Sequence, residues 1–103
     1  MGDAPPSLRI DKWLWYARFF KTRALAGQIA SKGKVRLNGQ HVRKASHPVR
    51  EGDTLTFPQA NRIRVIRVLA LGQRRGPASE AAQLYQDLDI PVTKPADSSA
   101  AAP

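Results

Sequence analysis

The chain contains no cysteine and only two histidines, His41 and His47. Without thiols, neither a disulfide framework nor a thiolate metal site can form. The histidines lack the spacing of a catalytic triad or a zinc site. Acids are scarce over most of the chain. Between Arg9 and Arg75 only Asp11, Glu51 and Asp53 stand against sixteen Lys or Arg. Glu51 and Asp53 flank Gly52, where carboxylates serve turn chemistry far more often than acid–base catalysis. No Gly-rich phosphate loop occurs. Apolar runs fall far short of the roughly 20 residues of a membrane helix. The first residues, Met1 to Ser7, lack the basic and apolar regions of a secretion signal. The lack of cysteine fits a reducing cytosol, and the expectation is a protein with no enzymatic activity, no cofactor, no metal and no membrane contact.

What the chain does hold is positive charge, unevenly spread. The net charge is +9 over 103 residues, room for one domain with a modest core. Sixteen cations against three acids give residues 9–75 a balance of +13. Residues 76–103 hold only Lys94 against Glu80, Asp87, Asp89 and Asp97, a balance of −3. The basic character belongs to the part with folding signals, which implies a shaped surface for a polyanion.

Periodicity supplies the elements. Residues 1–7 are Pro-rich and polar, so disorder is expected. Ile10, Trp13, Leu14 and Ala17 mark one face of a first helix, leaving Arg9, Lys12 and Tyr16 for solvent or a ligand. A second helix starts at the N-cap Thr22 and stops at Gly33. Leu25, Ala26, Ile29 and Ala30 form its expected inner stripe, with Arg23, Gly27, Gln28 and Lys32 outward. Val35, Leu37 and Val42 flank Asn38-Gly39, a strong two-residue hairpin signal. Leu55 and Phe57 alternate with Thr54 and Thr56 as a further strand, and Pro58 to Asn61 reads as a loop. The segment Arg62 to Leu71 alternates until its phase slips at Ile66, which suggests a β-bulge. Arg62, Arg64 and Arg67 there could equally keep an edge strand soluble. Ser79 to Leu88 reads as a short terminal helix, and residues 89–103, rich in Pro, Ala and Ser, as a disordered tail.

The candidate binding residues lie mostly between Arg9 and Lys44, a stretch with ten Lys or Arg and one acid, Asp11. Arg9, Lys12, Lys21, Arg23, Lys32, Lys34 and Arg36 converge if the helices pack together and the hairpin continues from them. Arg43 and Lys44 follow the hairpin. Thr22, Gln28, Asn38 and Gln40 add polar groups able to reach phosphate, ribose or base edges. Trp15, Tyr16 and Phe19 are candidate stacking surfaces, whereas Trp13 and Phe20 belong to the core. Asp11 either orients a neighbouring cation or caps the first helix. Lys21 and Arg23 oppose the dipole at the start of the second helix, at about 0.3 to 1 kcal/mol each. A phosphate bound there would reverse that sign.

Four segments in order resemble the S4-type RNA-binding domain. They are Arg9-x-Asp11-Lys12-x-Leu14, Lys21-Thr22-Arg23-x-x-Ala26, Lys32-Gly33-x-Val35-x-Leu37-Asn38-Gly39 and Val49-x-x-Gly52-Asp53-x-Leu55. The run from Asp11 to Arg23 and the Arg74-Arg75-Gly76-Pro77-Ala78 turn are similar to the bacterial ribosome-associated heat-shock proteins that carry this domain. The resemblance implies an α+β domain of two helices on a small, mostly antiparallel, twisted sheet, with a short C-terminal helix. It places the S4-type domain at residues 8–58 and an extension packed on it at 59–88. The implied partner is structured RNA, namely rRNA of the large ribosomal subunit carrying a stalled nascent chain on tRNA. Contact with the tRNA, and with DNA, is also implied for the family. Family members end in a basic tail, whereas this chain ends in Pro95-Ala96-Asp97-Ser98-Ser99-Ala100 and beyond, so contacts of such a tail are expected to be missing. A monomer is expected.

Overall fold

The computed structural model describes residues 6–88. The disorder expected for 1–5 and 89–103 lies outside the described residues; Pro6 and Ser7 are exposed and irregular. In chain order the elements are β1 (Leu8–Arg9), α1 (Ile10–Tyr16), α2 (Arg23–Ser31), β2 (Arg36–Leu37), β3 (Gln40–His41), β4 (Pro48–Val49), β5 (Thr54–Gln59), β6 (Arg62–Val68), α3 (Ala78–Ala81), a 3₁₀ turn (Ala82–Leu84) and β7 (Tyr85–Asp87). A five-stranded antiparallel sheet has the order β3-β2-β5-β6-β7, and β1 pairs separately with β4. The architecture is α+β, as the residues imply.

The core lies between the two helices and one face of the sheet. Ile10, Trp13 and Leu14 of α1 and Ala26 and Ala30 of α2 are fully buried with Leu55, Phe57 and Ile66. The phase of α1 agrees with its apolar spacing, and Trp13 also donates its indole N–H to the Ala70 carbonyl at 2.9 Å. Tyr16, expected outward, is buried instead. Helix α1 stops immediately after it, with Arg18 in the left-handed region at φ 66°. Gly72, distant in sequence, comes against the tyrosine ring: a Cβ there would stand 3.7 Å from Tyr16 Cδ2. Phe19, a candidate for stacking on a ligand, is buried against Phe57 and Tyr85, with centroids at 4.9 and 4.5 Å.

The caps of α2 follow its sequence. Thr22 Oγ1 accepts the Leu25 N–H at 3.0 Å, and Gly33 terminates the helix at φ 74°. Its inner stripe differs from expectation. Ala26 and Ala30 are buried, but Leu25 is 40% exposed and Ile29 only half-buried. Gly27, expected outward, faces inward: a Cβ there would sit 3.4 Å from Ala45 Cβ and 3.7 Å from the Asp11 carboxylate. Small side chains let this part of α2 approach its neighbours closely, and that rotates Leu25 out.

The hairpin forms at Asn38-Gly39, both in the left-handed region (φ 53° and 87°), as a type I′ turn requires. The expected loop from Pro58 to Asn61 shrinks to a turn at Ala60-Asn61, because Pro58 pairs with Ile63 within the β5–β6 ladder. Strand β2 reaches only Thr56, so Pro58 has a strand partner on one side and its missing N–H disturbs no second ladder. The register runs unbroken from Thr54↔Arg67 to Gln59↔Arg62, with no bulge. The change of phase has another cause. Ile63 and Val65 lie on the sheet face away from the core, and Arg64 takes the inner position. Its guanidinium sits 5.2 Å over Phe19 and donates to Gln59 Oε1 (2.8 Å) and Asp87 Oδ1 (2.9 Å). Strand β6 is no edge: β5 and β7 flank it. The terminal helix is shorter than expected, since β7 follows the 3₁₀ turn.

The extension is joined to the helical corner by two arginines. Arg18 Nε donates to the Gly76 carbonyl at 2.6 Å. Arg75 lies over the Trp15 ring at 5.6 Å and donates to the Trp15 and Phe20 carbonyls at 3.1 and 3.5 Å. Trp15, the half-buried candidate stacker, therefore holds a cation of its own chain.

Candidate nucleic-acid interface

The start of α1 organises the basic surface. A helix leaves its first N–H groups without internal partners. Here the Ile10 N–H donates to the His47 carbonyl (2.8 Å) and the Asp11 N–H to the Ala45 carbonyl (3.2 Å). The β1–β4 pairing, Leu8↔Val49 and Arg9↔Pro48, holds the same two stretches together. The Asp11 side chain makes no capping bond and is free for another task. Although 5% exposed, it accepts from Arg9 Nε and Nη2, both at 3.1 Å, and from Arg23 Nε at 3.5 Å. Both guanidinium groups remain open to solvent, at 49% and 43% side-chain exposure.

This arrangement gathers Arg9 from β1 and Arg23, the first residue of α2, around one carboxylate, and the exposed Lys44 precedes Ala45 in the segment that meets the start of α1. Gln28 is exposed and follows Gly27, which packs close to Ala45. Lys21 and Thr22 precede Arg23 and are exposed, with the Thr22 hydroxyl oxygen already accepting the cap bond. Lys12 is half-buried, its ammonium 5.7 Å from the Tyr16 ring centroid. Nine residues of α2, about 13 Å of helix, separate this cluster from a second one. There Lys32 and Lys34 are exposed, and His41 Nδ1 lies 2.8 Å from the Gly33 carbonyl, which ties the hairpin to the end of the helix.

Two candidates are placed differently. Arg36 pairs with Thr56 and His41, so it stands on the sheet face opposite Leu37, Leu55 and the core. Asn38 is occupied at both ends, donating to Asp53 Oδ1 (3.1 Å) and accepting the Thr54 N–H (2.9 Å). Gln40 is exposed beside it at the hairpin. Arg43, like Lys44, is exposed beyond the hairpin. Sequence reasoning missed the structural use of Arg18, Arg64 and Arg75, because nothing local distinguishes a cation held by distant groups of its own chain from one held by solvent.

Among the described residues no group of three or more His, Asp or Glu side chains is placed to hold a metal ion. No helix there is long and apolar enough to cross a membrane. The chemistry offered is charge, hydrogen-bond donors and a rigid frame.

Comparison with known proteins agrees with this frame. The model of the S4 domain matches residues 8–55. Heat shock protein 15 of Escherichia coli is 49% identical over 87 residues, covering 84% of this chain and 65% of that protein, so the chain spans about two thirds of that relative's length. The RQC P-site tRNA stabilizing factor of Bacillus subtilis is 35% identical over 78 residues, covering 76% of this chain and 88% of that one. The solved trimeric structure of Vibrio cholerae heat shock protein 15 superposes with a TM-score of 0.74 at 41% identity, covering 80% of this chain and 82% of that one. The fold, the order of the motifs and these identities agree: the chain belongs to the S4-domain family, in its heat shock protein 15 branch.

Proposed function

We propose that this protein is a non-catalytic RNA-binding factor acting in the cytoplasm on the large ribosomal subunit, where it holds a state in which a nascent chain remains on tRNA. One observation carries the reading. Of the ten Lys and Arg between Arg9 and Lys44, nine are exposed and Lys12 is half-buried, while the one acid among them is buried beneath two arginines. Such a surface presents donors to phosphates from several directions and repels little. The names of the relatives support the same target, since one is a factor that stabilises tRNA in the P site.

The sites proposed for RNA contact are the Arg9–Arg23 pair with Lys12, Lys21, Thr22, Gln28, Arg43 and Lys44, and the Lys32–Lys34 pair with Gln40. Arg36 and Asn38 contribute only if RNA wraps past the hairpin. We expect one protomer per bound RNA, whereas the Vibrio cholerae relative has been solved as a trimer. Purified protein mixed with large subunits bearing P-site tRNA, with bare large subunits and with whole ribosomes should sediment best with the first. Sedimentation with none of them overturns the reading.

A further inference from the structure

We propose that Asp11, the acid at the centre of this basic surface, is a positioning residue whose removal weakens RNA binding even though it raises the net positive charge. The inference rests on the RNA-binding reading of this face and goes beyond it by naming what holds the face in shape. Four observations support it.

First, the backbone N–H groups at the start of α1 are satisfied by the Ala45 and His47 carbonyls, so the carboxylate is not spent as a helix cap. Second, it is buried, and a buried carboxylate persists only when paired. Third, its two oxygens hold Arg9 edge-on through Nε and Nη2 at 3.1 Å each, and Oδ2 also takes Arg23 Nε at 3.5 Å. A guanidinium has donors on several edges, so these contacts leave outer donors on both arginines pointing away from the carboxylate. Fourth, Gly27 lets α2 pass close to the site: its missing Cβ would stand 3.7 Å from the carboxylate oxygen and 3.4 Å from Ala45. One buried acid therefore sets the separation and tilt of two cations from different elements. Like charges held side by side repel, and Asp11 removes that repulsion at the cost of one negative charge that RNA never meets directly.

A purely electrostatic view gives the opposite sign for the same change. In Asp11→Asn the net charge rises from +9 to +10, one carboxylate fewer, and a simple polyanion binder should bind more tightly. If Asp11 positions the arginines, affinity for hairpin RNA falls about ten- to a hundredfold, the worth of one charge-assisted contact. The steepness of the salt dependence should fall with it.

The test is a titration of hairpin RNA at fixed salt with the full chain and five variants, each checked by circular dichroism. Lys44→Gln tests the face itself and should weaken binding whatever Asp11 does. Asp11→Asn should weaken it further than Lys44→Gln. Arg9→Lys keeps the charge but loses the edge-on fork, and should reproduce much of the Asp11→Asn loss even where Asp11→Asn does not fold. In an Arg9→Gln, Arg23→Gln background, adding Asp11→Asn should cost no further affinity, because the residues it positions are gone. Equal or tighter binding by Asp11→Asn, with Lys44→Gln weakened, overturns the positioning role and leaves the RNA face standing. Unchanged binding by Lys44→Gln and by the double arginine variant overturns the RNA face, and the proposal with it.

Discussion

At the scale of single residues, several polar side chains that look available are already engaged. Arg23 is the clearest case. As a cation at the start of α2 it opposes the helix dipole, so neutralising it alone would be expected to stabilise the free protein. The Asp11 carboxylate at 3.5 Å changes the sign. Arg23→Gln should lower stability by up to about 1 kcal/mol, a small figure because the pair is partly solvated. Lys21→Gln should leave stability within about 0.5 kcal/mol of the parent, and thermal melts of the two variants decide the matter. Asn38 is a second case. Its left-handed backbone and its bonds to Asp53 and Thr54 close the hairpin onto β5. Asn38→Ala should cost about 1 to 2 kcal/mol in urea denaturation. At salt concentrations where the fold holds, its affinity for RNA should stay unchanged. A selective loss of affinity would return Asn38 to the recognition surface.

At the scale of elements, the two-residue hairpin, the caps of α2 and the buried face of α1 were legible, because each depends on local chemistry. Asn38-Gly39 needs two left-handed residues, Thr22 supplies a cap oxygen, and Ile10, Trp13 and Leu14 repeat at helical spacing. The inner stripe of α2 was not legible. Hydrophobicity favours Leu25 for the core, but the close approach of Gly27 to Ala45 and Asp11 fixes the rotation of the helix. That contact joins residues distant in sequence. Strand β6 was misread for the same reason: Arg64 looked outward by type, yet Phe19, Gln59 and Asp87 gather around it from three other segments. The difference is measurable. Leu25→Ala should change stability by less than about 0.5 kcal/mol, whereas Ile66→Ala, at a fully buried position, should cost about 2 to 5 kcal/mol. A costly Leu25→Ala would mean that α2 is rotated from the position described.

At the scale of the whole molecule, the helices and sheet carry a basic surface whose components come from β1, α1, α2 and the segment after the hairpin. The S4-like order of motifs made the fold and most of the surface legible in the sequence. The division of the cations did not appear there. Arg9 and Arg23 meet on Asp11 at one end of α2, Lys32 and Lys34 follow its other end, and Arg36 stands across the sheet; only the register and the tertiary contacts show this. We propose that this surface binds structured RNA by neutralising phosphates. The direct measurement is the affinity for a hairpin RNA across a series of salt concentrations. About five to eight phosphate contacts release enough counterions for a log–log slope on the order of −4 to −7. A slope near zero over the same range would contradict the claim, because binding would then bypass the basic surface.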